Sequence, residues 1–284
     1  MAGSRSTHRV KTAVALVAVV VVGLGVAVWF GQRALMYHPD TTPVASAGDV
    51  LTGGRDVVLS TADGLALDAW YVPPVEGCDA SVLVAPGNAG NRAGRVALAE
   101  AVTDSGFGVM LIDYRGYGGN PGTPSESGLA LDIRAARAAL LEQGQAEDRI
   151  IYLGESLGTG VVSELAVDHP PAALVLRSPM TSFGAVAQDL YGVPLGGLLR
   201  DQYPVIDHVR QITVPVAVVS GTSDALVPPA QSEAVADAAR HAGAEVVEVS
   251  VPGAGHNDPS LTRGPALIGA LADASRLAGI RSCQ

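Results

Sequence analysis

The sequence predicts an α/β protein whose core is a mostly parallel sheet covered by helices on both faces. Three observations lead to it. Short unbroken apolar runs recur along the chain, among them "VLVA", "GVMLI" and "IIYL", and such runs suit strands buried on both sides. Stretches of helical apolar period alternate with them. Each run passes directly into a turn, at Gly87, Asp113, Ser156, Asp224 and His256. In an open sheet these turns gather beyond the carboxyl ends of the strands, where ligands bind.

Taken in order, residues 1–11 form a basic tail with Arg5, Arg9, Lys11 and no acid. Residues 12–30, "TAVALVAVVVVGLGVAVWF", carry no charge. Nineteen residues at ~1.5 Å each reach about 28 Å, close to the ~30 Å of a bilayer core. A cleaved signal peptide has a shorter apolar stretch and a small-residue cleavage site, whereas this one ends in Trp29 and Phe30, residues suited to a membrane interface. The reading is a single-pass anchor in a cell membrane. The basic excess before the span keeps the N-terminus cytoplasmic and places the body on the far side. Residues 31–50, rich in Pro, Thr, Ser and Gly, read as a tether in which Leu35, Met36 and Tyr37 dock.

One domain follows, over residues 51–284. "RDVVLS" and "LALDAWYV" flank "TADG" as a hairpin. Strand Val82–Ala85 precedes a glycine-rich turn and a helix that ends near Gly106. "GVMLI" leads into "DYRGYGG", then a helix over "ESGLALDIRAARAALLE" with Ser125 as its cap. "RIIYLGESLGTGVVSELA" gives strand, turn and helix, and "AALVLR", "VPVAVVSG" and "AEVVEVSV" supply the last strands. Residues 182–212 interrupt the pattern and read as a short lid.

The net charge is −10, and all of the excess lies beyond the basic tail. An acidic body offers no footprint for phosphate backbones, so nucleic acid is excluded as a partner. Arginine outnumbers lysine so heavily, alongside abundant Ala, Gly and Val, that the composition fits a bacterial genome rich in G and C. Cys78 and Cys283, the two cysteines, are too few for a zinc cluster; they pair or stay as thiols. No metal and no organic cofactor is expected.

"GESLG" at residues 154–158 matches G-x-S-x-G, a pattern that glycine-rich chains also produce by chance. Context decides. Ser156 follows a strand and opens a helix, as a nucleophile on a strained turn must, and Gly154, Gly158 and Gly160 give it room. Two other readings exist: Ser156 as an ordinary helix cap, or "GTGVVS" as a dinucleotide turn, which lacks its third glycine at Ser163. A serine needs a base and the base an orienting acid. Of six histidines, His256 alone follows a strand; His169 and His208 read as exposed. Asp224 sits in the turn after a buried strand, while Asp258 reads as a helix cap. Backbone N–H groups for an oxyanion would come from Leu157 and from Asn88 or Ala89. Phe183, Leu190, Tyr191, Leu198 and Leu199 would wall the substrate pocket.

"PGNAGN", "DYRGYGGNPGTPSESG", "GESLGTG", "GTSDALVP" and "GAGHND" in this order resemble the α/β-hydrolase superfamily, and within it the membrane-anchored, short-lidded serine hydrolases. The resemblance implies an eight-stranded, mostly parallel sheet and a triad of Ser156, Asp224 and His256. Pro86 departs from it, standing where many relatives carry histidine. Asp113 and Arg115 match a motif that is structural in that superfamily. The expected activity is hydrolysis of carboxylic esters or thioesters near a membrane. A peptidase or amidase on the same fold, or a catalytically silent anchored binding module, are the alternatives.

Overall fold

The computed structural model describes residues 15–280, apart from residues 18, 21, 24, 27, 28, 193 and 195. Eight strands form one sheet: β1 (Arg55–Ser60), β2 (Ala66–Val72), β3 (Ser81–Ala85), β4 (Gly108–Ile112), β5 (Ile150–Glu155), β6 (Ala173–Arg177), β7 (Val216–Gly221) and β8 (Val246–Val251). Their order is β1-β2-β4-β3-β5-β6-β7-β8. β2 runs antiparallel to both of its neighbours, and the other pairings are parallel.

Beside short helical turns, the helices that concern the sheet and the site are α1 (Val96–Asp104), α2 (Glu126–Glu142), α3 (Leu157–Asp168), α4 (Phe183–Tyr191), α5 (Val205–Val209), α6 (Pro229–Ala242) and α7 (Pro265–Leu277). Alternate strand residues feed two separate cores. Leu83, Met110, Tyr152, Leu176 and Val218 pack with Leu129 and Ile133 of α2, Val161 of α3 and Val235 of α6. Val82, Leu111, Ile151, Leu153 and Val219 pack with Leu98 of α1 and Leu267 and Leu271 of α7. Both faces being covered explains why these strands are apolar throughout. Each such side chain contributes roughly 1.5–3 kcal/mol when fully buried. Ser125 caps α2 by accepting a hydrogen bond from the Gly128 N–H, as its position suggests.

Register brings the strand ends into line. Ala85 lies beside Gly154, Gly154 beside Leu176, Glu155 beside Arg177, and Arg177 beside Val219. The turns that follow therefore open on one edge.

Residues 31–50 are packed rather than trailing. Residues 29–36 are helical; Met36 and Tyr37 are buried, while Leu35 is exposed. Arg33 makes a two-pronged contact with Asp201, at 2.8 and 2.9 Å. The Tyr37 hydroxyl donates to Asp201 at 3.0 Å and lies 2.7 Å from that of Tyr203. Gln32 accepts from the Arg200 N–H at 2.7 Å. His38–Pro39 pairs in parallel with Ala89–Gly90. This segment is thus stitched to residues 198–203, and that segment in turn to α2, where Glu126 accepts from the Gln202 and Tyr203 N–H groups.

Among the described residues no helix is long and apolar enough to cross a membrane. The expected span over residues 12–30 falls in part outside them, and the basic tail and Cys283 wholly so.

Candidate active site

Ser156 follows the last residue of β5 and stands immediately before α3, at φ 52° and ψ −115°. A non-glycine residue held there costs on the order of 1–3 kcal/mol. Its neighbours must be small. A Cβ at Gly154 would lie 2.6 Å from Val162 Cγ2, and one at Gly158 would lie 2.1 Å from the Ala85 carbonyl oxygen. Ser156 holds the cap position of α3, yet its side chain makes no capping hydrogen bond. The helix-cap reading therefore does not account for its hydroxyl.

Asp224 follows β7, and its carboxylate is buried. Oδ1 accepts from the Leu226 and Val227 N–H groups at 3.0 and 2.9 Å. Oδ2 accepts from Ser178 Oγ at 2.9 Å and lies 2.7 Å from His256 Nδ1. Burial pushes this carboxyl up, but the hydrogen bonds from His256, the Val227 N–H and Ser178 prevail and hold it below its ordinary value. An ionised Asp224 fixes the tautomer of His256 with Nδ1–H toward the acid and Nε2 free.

His256 follows β8 in the loop "GAGHND", and only a tenth of its side chain is exposed. Its carbonyl accepts from Arg177 Nη1 at 2.8 Å. Glu155 stands between Arg95 and Arg177, at 3.3 and 3.4 Å. This buried group ties the residue before Ser156 to the histidine loop. Sequence reasoning passed over Glu155, Arg177 and Ser178. Ser178 carried a signal, since it follows β6 directly at the same sheet edge. The charged pair carried none, because nothing in either sequence neighbourhood points to the other.

Ser156 lines two cavities. One, of about 530 Å³, is walled by Leu35, Met36 and Met180 together with Phe183, Leu190, Tyr191, Leu198 and Leu199, the residues expected to form a pocket. The other, of about 470 Å³, contains Ser156, His256, Asn88, Ala89 and three arginines. Leu157 borders the first cavity, and Asn88 borders both. The loop carrying Asn88 is held by its neighbours: its carbonyl accepts from the His38 N–H and the Tyr117 hydroxyl, and the Pro86 carbonyl accepts from Tyr114.

The remaining candidates lie elsewhere. Asp258 caps a short helix by accepting from the Ser260 N–H at 2.9 Å. His208, expected on the surface, is half-buried, with Nδ1 3.1 Å from Ser163 Oγ. The expectation erred because α5 packs on α3, a contact no local pattern announces. Asp113 pairs with Arg92, and Arg115 bridges Asp132 and Asp63, all as structural ties. Among the described residues no cluster of three or more His, Cys, Asp or Glu could hold a metal ion.

Residues 77–195 match the family described as serine aminopeptidase, S33. The α/β-hydrolase domain-containing protein WAV2 of Arabidopsis thaliana is 30% identical over 275 residues, 87% of each chain. The chain belongs to the α/β-hydrolase family. This hydrolase is also 48% identical to the uncharacterized protein Rv2307c of Mycobacterium tuberculosis over 266 residues, covering 93% of the one and 94% of the other. Its fold is similar to that of the Pyrococcus furiosus esterase Pf2001, with a TM-score of 0.69 at 20% identity, over 85% of this hydrolase and 97% of the esterase.

Proposed function

We propose that this α/β-hydrolase is a membrane-anchored serine hydrolase, of the short-lidded kind, that cleaves carboxylic esters or thioesters through Ser156, His256 and Asp224. The observation that carries the reading is the backbone of Ser156: a strained serine whose hydroxyl is not spent on capping, sharing a cavity with a histidine that an ionised Asp224 orients.

The chemistry follows from these positions. His256 Nε2 takes the Ser156 proton as Oγ attacks the acyl carbon. Asp224 stabilises the imidazolium without taking its proton. The Leu157 N–H, with that of Asn88 or Ala89, holds the oxyanion. His256 then protonates the leaving group, and water releases the acyl group by the reverse use of the same base. The cavity of Phe183, Leu190 and Leu199 suits an acyl chain because its walls are mostly apolar and, among the described residues, carry no acid or arginine.

The family description makes an aminopeptidase the rival reading. Such an enzyme needs a carboxylate to hold the substrate's ammonium group. Among the described residues Glu155 is the one acid lining either cavity, and Arg95 and Arg177 already neutralise it. The cavity chemistry favours esters.

Anchoring rests on the uncharged run of residues 12–30 and the basic tail before it. A domain beyond the membrane accords with the disulfide in which Cys78 takes part, since oxidising compartments preserve such bonds.

The test is a fluorophosphonate probe on the full-length, detergent-solubilised protein, beside Ser156→Ala and His256→Ala, followed by matched octanoyl ester and octanoyl amide. Labelling lost in Ser156→Ala, with the ester cleaved faster, is the expected result. A folded protein that does not label would sink the reading, and faster amide cleavage would favour the peptidase.

A further inference from the structure

The two cavities that meet at Ser156 differ in one respect that bears on the leaving group. His256 lines the cavity of about 470 Å³ and not the apolar one. In acyl transfer the histidine must reach both the serine proton and the departing atom. The leaving group therefore departs on the His256 side, while the acyl chain lies on the other.

The leaving-group side is positively charged, although the protein carries a net charge of −10. Arg95, Arg177 and Arg263 line it, against the single acid Glu155. Arg177 is buried and committed to the His256 carbonyl and Glu155. Arg95 is only partly committed. Its Nη1 donates to the Ala89 and Asn91 carbonyls at 3.0 and 3.1 Å and its Nε faces Glu155, so Nη2 keeps its donors. Arg263 is exposed, and among the described residues its guanidinium makes no ion pair. Two arginines with unused donors thus face one cavity beside the base.

Resting on the serine hydrolase reading above, we propose that this cavity is a subsite for an anionic leaving group: a small alcohol or thiol that carries a phosphate or a carboxylate. Serine Oγ forms the new bond to the acyl carbon as the ester C–O or thioester C–S bond breaks. The electron pair stays on the leaving atom, and His256 gives it the proton taken from Ser156. Arg95 and Arg263 hold the anion a few bonds further out. Guanidinium groups suit both phosphate and carboxylate, which they bind with paired donors.

The experiment uses full-length protein and three octanoyl esters: 1-octanoylglycerol, its 3-phosphate, and the ester of glycolate. The expected result is a higher kcat/KM for one or both anionic esters than for the neutral one, expressed mainly in KM. The larger preference distinguishes phosphate from carboxylate. Raising the salt should shrink the preference, because the site is partly open to water. In Arg263→Glu the ratio of anionic to neutral kcat/KM should fall by about tenfold or more, the scale of a lost charge-assisted hydrogen bond. The ratio cancels any general damage to the fold. Arg276→Glu, outside the cavity, should leave the ratio as it was.

Equal turnover of neutral and anionic esters by a protein that still labels at Ser156 overturns the subsite and leaves the serine hydrolase standing. An anionic preference untouched by Arg263→Glu and by salt overturns the subsite as well. Absence of both labelling and ester cleavage overturns the underlying reading together with this one.

Discussion

Gly158 lies against the carbonyl of Ala85, so close that a Cβ built on it would stand 2.1 Å from the oxygen. The obstacle is strand backbone, which cannot rotate away. Gly158→Ala should push the helix that starts at Leu157 off the sheet and carry Ser156 with it. The expected cost is about 1–3 kcal/mol in urea unfolding. Fluorophosphonate labelling should slow about 100-fold, the scale of a 1 Å misplacement. Normal labelling of a folded Gly158→Ala protein would contradict the geometry.

Asp224 and His256 should behave as one unit. Asp224→Asn preserves shape but offers His256 Nδ1 an amide in place of a charge, which favours the wrong tautomer. The expected loss in kcat/KM is about 10³–10⁴-fold, with KM changed far less. Ser178→Ala removes one of four hydrogen bonds to the carboxylate, and its loss of activity should be much smaller. Steady-state kinetics on an octanoyl ester distinguish the two.

Arg92 and Asp113 form an ion pair that is almost wholly buried. Burial pushes Asp113 up, and Arg92 opposes the shift. Arg92→Ala leaves an uncompensated carboxyl in the core, and the expected destabilisation is about 3–5 kcal/mol. The fraction that remains folded should label at Ser156 as before, because neither residue lines a cavity with the serine. A denaturation curve and a labelling assay on the same sample check both halves.

His208 supplies a pH dependence that is separate from catalysis. Burial holds it below its ordinary value of 6.5, against the pull of nearby Glu164 and Asp207. Just below that pH the unfolded chain binds more protons than the folded one, so stability falls as the pH drops. By about one pH unit above 6.5 the effect has faded, because neither state then binds the proton. His208→Gln cannot titrate and should lose less stability between about pH 7.5 and about pH 5.5. Urea midpoints at the two pH values decide it.

Much of this arrangement was legible in the residues because a parallel sheet converts sequence position into spatial position. Ser156, Asp224 and His256 each follow a strand, and strands in register put their ends side by side. Local hydrogen bonding was equally readable, as at the caps Ser125 and Asp258. What could not be read depends on long-range packing. Arg33 finds Asp201 across 168 positions, and although Leu35, Met36 and Tyr37 suggest docking, nothing in residues 31–38 says on what. Arg95 and Arg263 converge from opposite ends of the domain for the same reason. His208 was misjudged because five residues, Val205–Val209, are too few to show which face packs, and its partner Ser163 belongs to another helix.

The stitching of Arg33, Tyr37 and Gln32 to residues 198–203 bears on how this protein can be handled. Gln32, Leu35, Met36 and His38 all line the apolar cavity. A fragment begun at residue 45 to improve solubility would therefore be a specificity variant in disguise. It would present the apolar cavity with one wall removed and open to solvent, and any substrate preference it showed would describe the fragment and not the protein.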